Sequence, residues 1–176
     1  MKSIAAKGHG RGVRVDLNTI RSIDHECTGC SGLRNCCCAR YDVCVGRAEM
    51  KRIVGFLPEA ARLCPGLGKD KRYANVFEKT ADGLFAIDTD EKGLCVFAYK
   101  SRGLVRCSLH TVEKERGMPM GSIKPAVCLL WPLTYSEDGR TLTLTSEALS
   151  YPCCSRRKKP SRTISPALAS TISRAK

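Results

Sequence analysis

Six of the twelve cysteines in the chain lie within one short stretch, Glu26–Cys44. Cys27 and Cys30 form a CxxC unit, whose two-residue gap lets two thiolates face one metal while backbone amides hydrogen-bond to the sulfurs. Three consecutive cysteines, residues 36–38, follow, and we expect at most two of them to share a centre because neighbouring side chains usually diverge. Thiolates at this density are typical ligands of zinc or of an iron–sulfur cluster.

The other six cysteines are spread along the rest of the chain, at Cys64, Cys95, Cys107, Cys128, Cys153 and Cys154. The N-terminal residues lack the apolar run of a signal peptide, and no stretch is long enough to span a membrane, so we expect a cytoplasmic protein without a membrane partner. Thiols stay reduced in the cytosol, which favours metal ligation over disulfide bonds. An isolated thiol such as Cys44 or Cys64 is more often a small buried apolar residue than a ligand.

Histidine adds two candidate ligands to this inventory. His25 lies two residues before Cys27, and His110 follows a downstream cysteine at Cys107. A lone histidine is more often a surface or hydrogen-bonded residue, so neither is included in the predicted ligand set.

The formal net charge of +13 is concentrated at the two ends of the chain. Residues 1–14 and 155–176 contain eleven basic and no acidic residues, which leaves +2 for residues 15–154. A basic segment with few apolar residues is typically disordered, so we expect one metal-binding domain over 15–154 and a disordered tail over 155–176. Nucleic acid is an alternative partner for the tails, disfavoured because the cysteine spacing matches no zinc-finger pattern with a helix placed to enter a groove.

Short helices and hairpins must position the cysteines, which predicts a small α+β domain that is loop-rich around the cysteine cluster. Apolar residues at helical spacing predict a helix within Arg47–Leu57, and a polar helix after Cys107 should close at Gly117. Two alternating segments, 83–88 and 94–99, flank a turn-forming T-D-E-K-G sequence and predict a hairpin. Asp138-Gly139 between two alternating runs predicts a second hairpin.

One downstream block predicts a helical turn that carries a cysteine. Pro125 precedes the apolar run Val127–Trp131, and proline favours the first positions of a helix. Such a turn would bury the leucines and Trp131 while directing Cys128 inward. Core packing explains the apolar residues of this block but gives no reason for the cysteine.

The order of the cysteine blocks resembles a family of bacterial and archaeal proteins, the CxxCxxCC family, described as zinc- or iron-chelating domains. The resemblance runs from about Asp24 to Cys154 and rests on the blocks C-T-G-C, C-C-A-R-Y-D-V, G-L-C-V-F, V-R-C-S-L-H, K-P-A-V-C-L-L-W-P-L and Y-P-C-C. The spacing departs from the family, since five residues separate Cys30 from Cys36 where the family has about two or three, and Cys36 is extra.

The resemblance implies a set of eight metal ligands, with Cys154 as the alternative for the last position. The set comprises Cys27, Cys30, Cys37, Cys38, Cys95, Cys107, Cys128 and Cys153. Eight sulfurs suffice for one four-cysteine cluster with spares or for two four-ligand sites.

The leading functional hypothesis is therefore a protein that binds an iron–sulfur cluster or zinc, for electron transfer or a structural role, with an unknown protein as a further partner. Iron–sulfur is the slightly favoured cofactor, because a second CxxC-like pair, usual in zinc sites, is missing. The resemblance extends to flagellin lysine N-methylases, so a metal-dependent modifying enzyme is an alternative. The sequence contains no glycine-rich cofactor loop and no paired acid and base near the cysteines, which argues against an enzyme. Glu49, Glu113 and Glu115 are expected on solvated helix faces.

Overall fold

The structure is a computed structural model that describes residues 13–25, 36–39, 41–69, 73, 76–159 and 163–175. Its helices are α1 (Leu17–Ile20), α2 (Arg47–Val54), α3 (Leu57–Leu63), α4 (Ser108–Glu115), α5 (Ala126–Leu130) and α6 (Pro166–Ala175). Its strands are β1 (Arg14–Val15), β2 (Ile23–His25), β3 (Cys44–Val45), β4 (Phe77–Lys79), β5 (Phe85–Ile87), β6 (Ala98–Ser101), β7 (Leu104–Cys107), β8 (Leu133–Tyr135), β9 (Thr141–Leu144) and β10 (Cys154–Arg156). Mixed helices and small sheets confirm the α+β prediction.

The chain divides into two compact units, whereas the sequence predicts one domain over 15–154. The terminal unit comprises Met1–Thr28 and Leu129–Lys176, and the central unit is the continuous segment Gly29–Cys128. Each unit has its own hydrophobic core, which is the physical reason for the division. No helix in the described part of the chain is long and apolar enough to cross a bilayer.

The terminal unit is built on two small sheets. One has the order β1-β9-β8, in which β1 is a parallel edge strand and β8 and β9 form the hairpin predicted at Asp138-Gly139. Gly139 has a positive φ of 68°, which glycine adopts without a steric penalty. The other sheet pairs β2 with β10. The buried core residues are Ile20, Ile23, Leu133, Leu142, Leu168 and Ile172.

The segment predicted to be a disordered tail contains helix α6. Residues 155–176 were expected to be disordered, yet β10 extends to Arg156 and α6 occupies Pro166–Ala175. Leu168 is fully buried and Ile172 nearly so, and both belong to the core of the terminal unit. The basic residues dominate the composition of this segment, but a few apolar side chains at helical spacing provide the buried face that the helix needs.

The central unit packs three helices and two sheets around a larger core. The predicted helix at Arg47 ends at Val54, and α3 begins at Leu57 after a short turn. Helix α4 ends as predicted, with Gly117 at a φ of 61° beyond its last turn. The largest buried core residues include Val45, Ile53, Leu57, Phe97, Leu109 and Val112.

The hairpin predicted for 83–88 and 94–99 forms only beside its turn. The bridge Thr89–Cys95 and a hydrogen bond from the Val96 amide to the Asp88 carbonyl at 3.1 Å join the two segments there, whereas strand β5 pairs with β3 and β4 and strand β6 pairs with β7. The turn itself forms, with the Gly93 amide donating to the Asp90 carbonyl at 2.8 Å. Beyond the bridge the chain turns at Cys95–Ala98, where the Ala98 amide donates to the Cys95 carbonyl, so the second arm is redirected toward β7.

Candidate metal centre

A tight turn gathers the three consecutive cysteines of the central unit. Cys37–Ala39 form one turn of 3₁₀ helix, closed by the Ala39 amide donating to the Cys36 carbonyl at 2.9 Å. The three sulfurs of Cys36, Cys37 and Cys38 lie within 4.8 Å of one another. At most two of these thiols were expected to share a centre, but the structure brings all three sulfurs together. This group is placed to bind a metal ion.

Three downstream cysteines reach the same core from separate elements. Cys95 lies beside the three-cysteine turn, because its amide donates to the Cys38 carbonyl at 2.8 Å. Cys107 ends β7, where it pairs with Ala98 of β6. The partly buried side chains of both cysteines, and that of Cys128 in α5, pack against the core of the central unit. A turn, a loop, a strand and a helix therefore bring thiols to one hydrophobic environment.

These thiols are close enough to influence one another electrostatically. Burial raises the pKa of the Cys128 thiol well above its ordinary value, and the charges of Cys107, Cys95 and Cys37 raise it further. Burial likewise raises the pKa of Cys95 to about 12, with a further contribution from Cys107. Low-dielectric surroundings disfavour an isolated thiolate, so without a cation these groups are neutral thiols.

Two glutamates fix the segment that carries Cys128. Glu113 is 1% exposed, and its Oε1 accepts hydrogen bonds from the amides of Gly121, Ile123 and Lys124 at 2.7–3.0 Å. Glu49 accepts a hydrogen bond from Ala126, the first residue of α5, at 3.0 Å. Glu113 was expected on a solvated face, and that prediction is wrong: its carboxylate organises the loop before α5 from inside the protein.

A second group of candidate ligands lies in the terminal unit. His25 and Cys154 face each other across the antiparallel pair β2–β10, and Cys153 immediately precedes the strand. The Nδ1 atom of His25 is 3.4 Å from the Cys154 sulfur, and the two sulfurs are 4.0 Å apart. His25 and Cys154 are buried, and Cys153 is half-buried. All three ligand atoms lie within 4.8 Å, so this group too is placed to bind a metal ion.

The Cys153 sulfur differs from the thiols of the central unit in its hydrogen bonds. A hydrogen bond from the Cys154 thiol, together with others from His25 and the Trp131 indole, lowers the pKa of Cys153 to about 4. Burial opposes this shift but is outweighed by the donors. Hydrogen bonds to the charged form favour the thiolate, which is the form that binds metals.

The eight predicted ligands fall into three sets. Cys27 and Cys30 lie outside the described residues. The structure places Cys95, Cys107 and Cys128 against the core of the central unit, and Cys37 and Cys38 in the turn beside Cys95. Cys153 is in the terminal unit, where its neighbours are His25 and Cys154.

Sequence reasoning left His25 out of the ligand set because the chain separates it from Cys153 and Cys154 by most of its length. The alternation Ile23-Asp24-His25 was the available signal, since it places His25 on the buried face of a strand. The partner strand β10 could not be identified, because the segment after Cys154 was interpreted as a disordered tail. Cys44 and Cys64 were interpreted as small buried apolar residues. That interpretation holds for Cys64, which is a buried core residue, and in part for Cys44, which is half-buried in β3.

Comparisons with protein-family models, with curated proteins and with solved structures give no match to this chain. The resemblance to CxxCxxCC proteins therefore rests on the quoted cysteine blocks alone.

Proposed function

We propose that this protein is a small iron–sulfur protein whose cluster is held by cysteines of the central unit. The observation that carries the proposal is the packing of Cys95, Cys107 and Cys128, from three separate segments, against one hydrophobic core, with the three-cysteine turn beside Cys95. The charge of Cys37 in that turn also acts on Cys128. Burial raises the pKa values of Cys95 and Cys128, so their thiolates are costly to form unless a cation compensates the charge. An inorganic core that binds four thiolates supplies that compensation.

The spacing of these sulfurs favours a cluster over a single ion. Four sulfurs around a tetrahedral zinc would lie about 3.8 Å apart, given a Zn–S bond near 2.3 Å. Within the described ranges, Cys95, Cys107 and Cys128 belong to no group of three ligands that lie within 4.8 Å of one another. Cysteines that bind the larger iron–sulfur cluster have wider spacing. One or two sulfurs of the three-cysteine turn would complete the four cluster ligands.

Zinc at the three-cysteine turn is the second candidate. It is favoured by the mutual approach of the Cys36, Cys37 and Cys38 sulfurs within 4.8 Å, a range that suits a single ion. The modifying-enzyme and nucleic-acid hypotheses gain no specific contact from the described part of the chain.

Anaerobic reconstitution of the full chain with iron and sulfide tests the proposal. We expect brown protein with iron and acid-labile sulfide in similar amounts, and a reversible loss of colour on reduction if the cluster carries electrons. Cys95→Ser, Cys107→Ser and Cys128→Ser should each lower the iron content, whereas the matched control Cys44→Ser should keep it. Colourless protein that binds only zinc would refute the cluster and favour the zinc candidate.

A further inference from the structure

We propose that His25, Cys153 and Cys154 form a zinc site built wholly from residues of the terminal unit. This site is additional to the cluster proposed for the central unit and differs from it in ligand chemistry, because it contains an imidazole nitrogen. Zinc prefers tetrahedral sites of nitrogen and sulfur ligands, and three protein ligands are sufficient to hold it when a further group fills the fourth position.

The distances fit a single ion. A tetrahedral zinc with bonds near 2.3 Å to sulfur and near 2.0 Å to nitrogen places its ligand atoms about 3.5 to 3.8 Å apart. The His25 Nδ1 to Cys154 Sγ distance is 3.4 Å and the Cys153 Sγ to Cys154 Sγ distance is 4.0 Å. An ion can therefore be inserted with small side-chain movements and no change of backbone.

The strand pairing explains why the three groups meet. Residues directly opposite on one face of an antiparallel pair have Cβ atoms about 4.5–5.5 Å apart, and His25 is directly opposite Cys154. A turn in which the Cys154 amide donates to the Tyr151 carbonyl at 2.9 Å places Cys153 at the entrance to β10. At the other end of the pair, the Arg157 side chain binds the Asp24 carboxylate and secures the register.

The surroundings supply an outer shell of the kind found around zinc ligands. The Trp131 ring packs edge-on against Tyr151, two residues before Cys153, with centroids 4.5 Å apart. Packing of this kind orients metal ligands and restricts water.

A buried histidine that only hydrogen-bonds to the backbone is the simplest alternative. The contact of His25 Nδ1 with the Cys153 carbonyl at 3.2 Å satisfies that role. It does not account for the two sulfurs that lie within 4.8 Å of a ring nitrogen. Metal binding accounts for all three groups, since neutral imidazole and thiolate are the forms that zinc takes.

The test measures zinc in cluster-loaded full-length protein, so that the thiols of the central unit are already occupied. We expect the unchanged chain to bind about one zinc ion that His25→Gln, Cys153→Ser and Cys154→Ser each lose. The matched controls are His110→Gln and Cys44→Ser, which should keep the zinc. If the central unit holds zinc instead of a cluster, the same variants should still bind about one ion fewer than the unchanged chain, so the two proposals fail independently.

Two further measurements guard against a merely structural effect of the substitutions. Cobalt(II) should give a tetrahedral spectrum with a thiolate charge-transfer band that weakens in Cys153→Ser, a half-buried position where serine is readily accommodated. Metal binding should also change the fluorescence of Trp131, the only tryptophan. The proposal is overturned if the three variants retain full zinc, or if they lose iron and zinc in parallel.

Discussion

The two units present the same functional group, a cysteine thiol, in opposite environments. In the central unit, Cys95 and Cys128 pack against an apolar core, and burial raises their pKa values. In the terminal unit, Cys153 accepts hydrogen bonds that lower its pKa. The comparison teaches that a cysteine inventory alone does not define a metal site. The apolar unit needs a highly charged centre to stabilise several thiolates together, whereas the hydrogen-bonded unit already stabilises one.

The largest effect that separates the two environments should be thiol reactivity in metal-free protein. With pKa values of about 4 and about 12, Cys153 is almost wholly thiolate at neutral pH, whereas roughly one Cys95 in 10⁵ is ionised. Brief treatment with iodoacetamide followed by peptide mass spectrometry should therefore label Cys153 far ahead of Cys95. Equal labelling would show that the two environments do not differ.

The same shifts give opposite pH dependences of stability. Because the folded pKa of Cys153 lies below the ordinary value of 9.0, its contribution is complete above pH 9 and is lost as the pH falls toward 4. The folded pKa of Cys95 lies above 9.0, so its contribution is complete below pH 9 and is lost as the pH rises through 12. Denaturant unfolding of metal-free protein as a function of pH measures both.

Removing residues 155–176 should abolish the cooperative unfolding of the terminal unit. The truncation deletes most of β10 and all of α6, and so removes the buried Leu168 and Ile172. Trp131 lies in this unit and is the only tryptophan, so its fluorescence follows this unit specifically. Iron binding by the central unit should persist. An unchanged Trp131 transition would mean that the helix contributes little to this core.

A single substitution gives a finer version of the truncation. Leu168→Ala should destabilise the terminal unit by about 2–5 kcal/mol, because Leu168 is completely buried. Leu149→Ala is the matched control, since Leu149 belongs to the same unit and is 39% exposed. We expect the control to change the stability by no more than about 0.5 kcal/mol.

Glu113→Ala should destabilise the central unit by about 3 kcal/mol, because it leaves three amides of the loop before α5 without their acceptor. Iron loading should fall with it, since that loop leads to Cys128. Glu115→Ala is the control on the same helix: Glu115 makes only a 3.6 Å ion pair with Arg62, and both side chains are exposed. Far-ultraviolet circular dichroism during denaturant titration measures both variants, and equal effects would contradict the assigned role of Glu113.

The smallest expected effect is at the first helix of the terminal unit. Asp16 caps α1 by accepting from the Thr19 amide at 3.2 Å and also binds the Thr143 hydroxyl of β9 at 3.1 Å. Asp16→Ala should cost about 1 kcal/mol in the Trp131 transition and leave the central unit unchanged. The Thr19 hydrogen bond lowers the pKa of Asp16 below 3.8, so the difference between variant and unchanged chain should disappear as the pH falls below that value.

Local signals in the sequence predicted much of the fold. Helical spacing predicted α2, Gly117 predicted the end of α4, and Asp138-Gly139 predicted the β8–β9 turn, because each depends on contacts within a few residues. The turn before Cys95 is local and forms. The β6–β7 hairpin is also local, since only Arg102 and Gly103 separate its strands, but it was not predicted. The pairings of β2 with β10 and of β3 with β5 join distant segments, which local signals do not determine.

The candidate site shows the same limit. The dispersed cysteines and the inward direction of Cys128 were accessible from residue types, but the roles of His25 and Glu113 were not. His25 acquires its sulfur neighbours only through pairing with a strand near the other end of the chain. Glu113 occupies an apparently polar helix, and its burial depends on a loop that folds back over it.

The order of the two units along the chain has a consequence for biosynthesis. The central unit is one continuous segment, so all of its residues are synthesised before residue 129 is added. The terminal unit combines residues from both ends of the chain, and Ile20 must wait for Leu168 to complete its core. Domains generally fold as they emerge during translation. The central thiols are therefore made earlier than the complete terminal site, since His25 gains its two sulfur neighbours only after Cys154 has been synthesised.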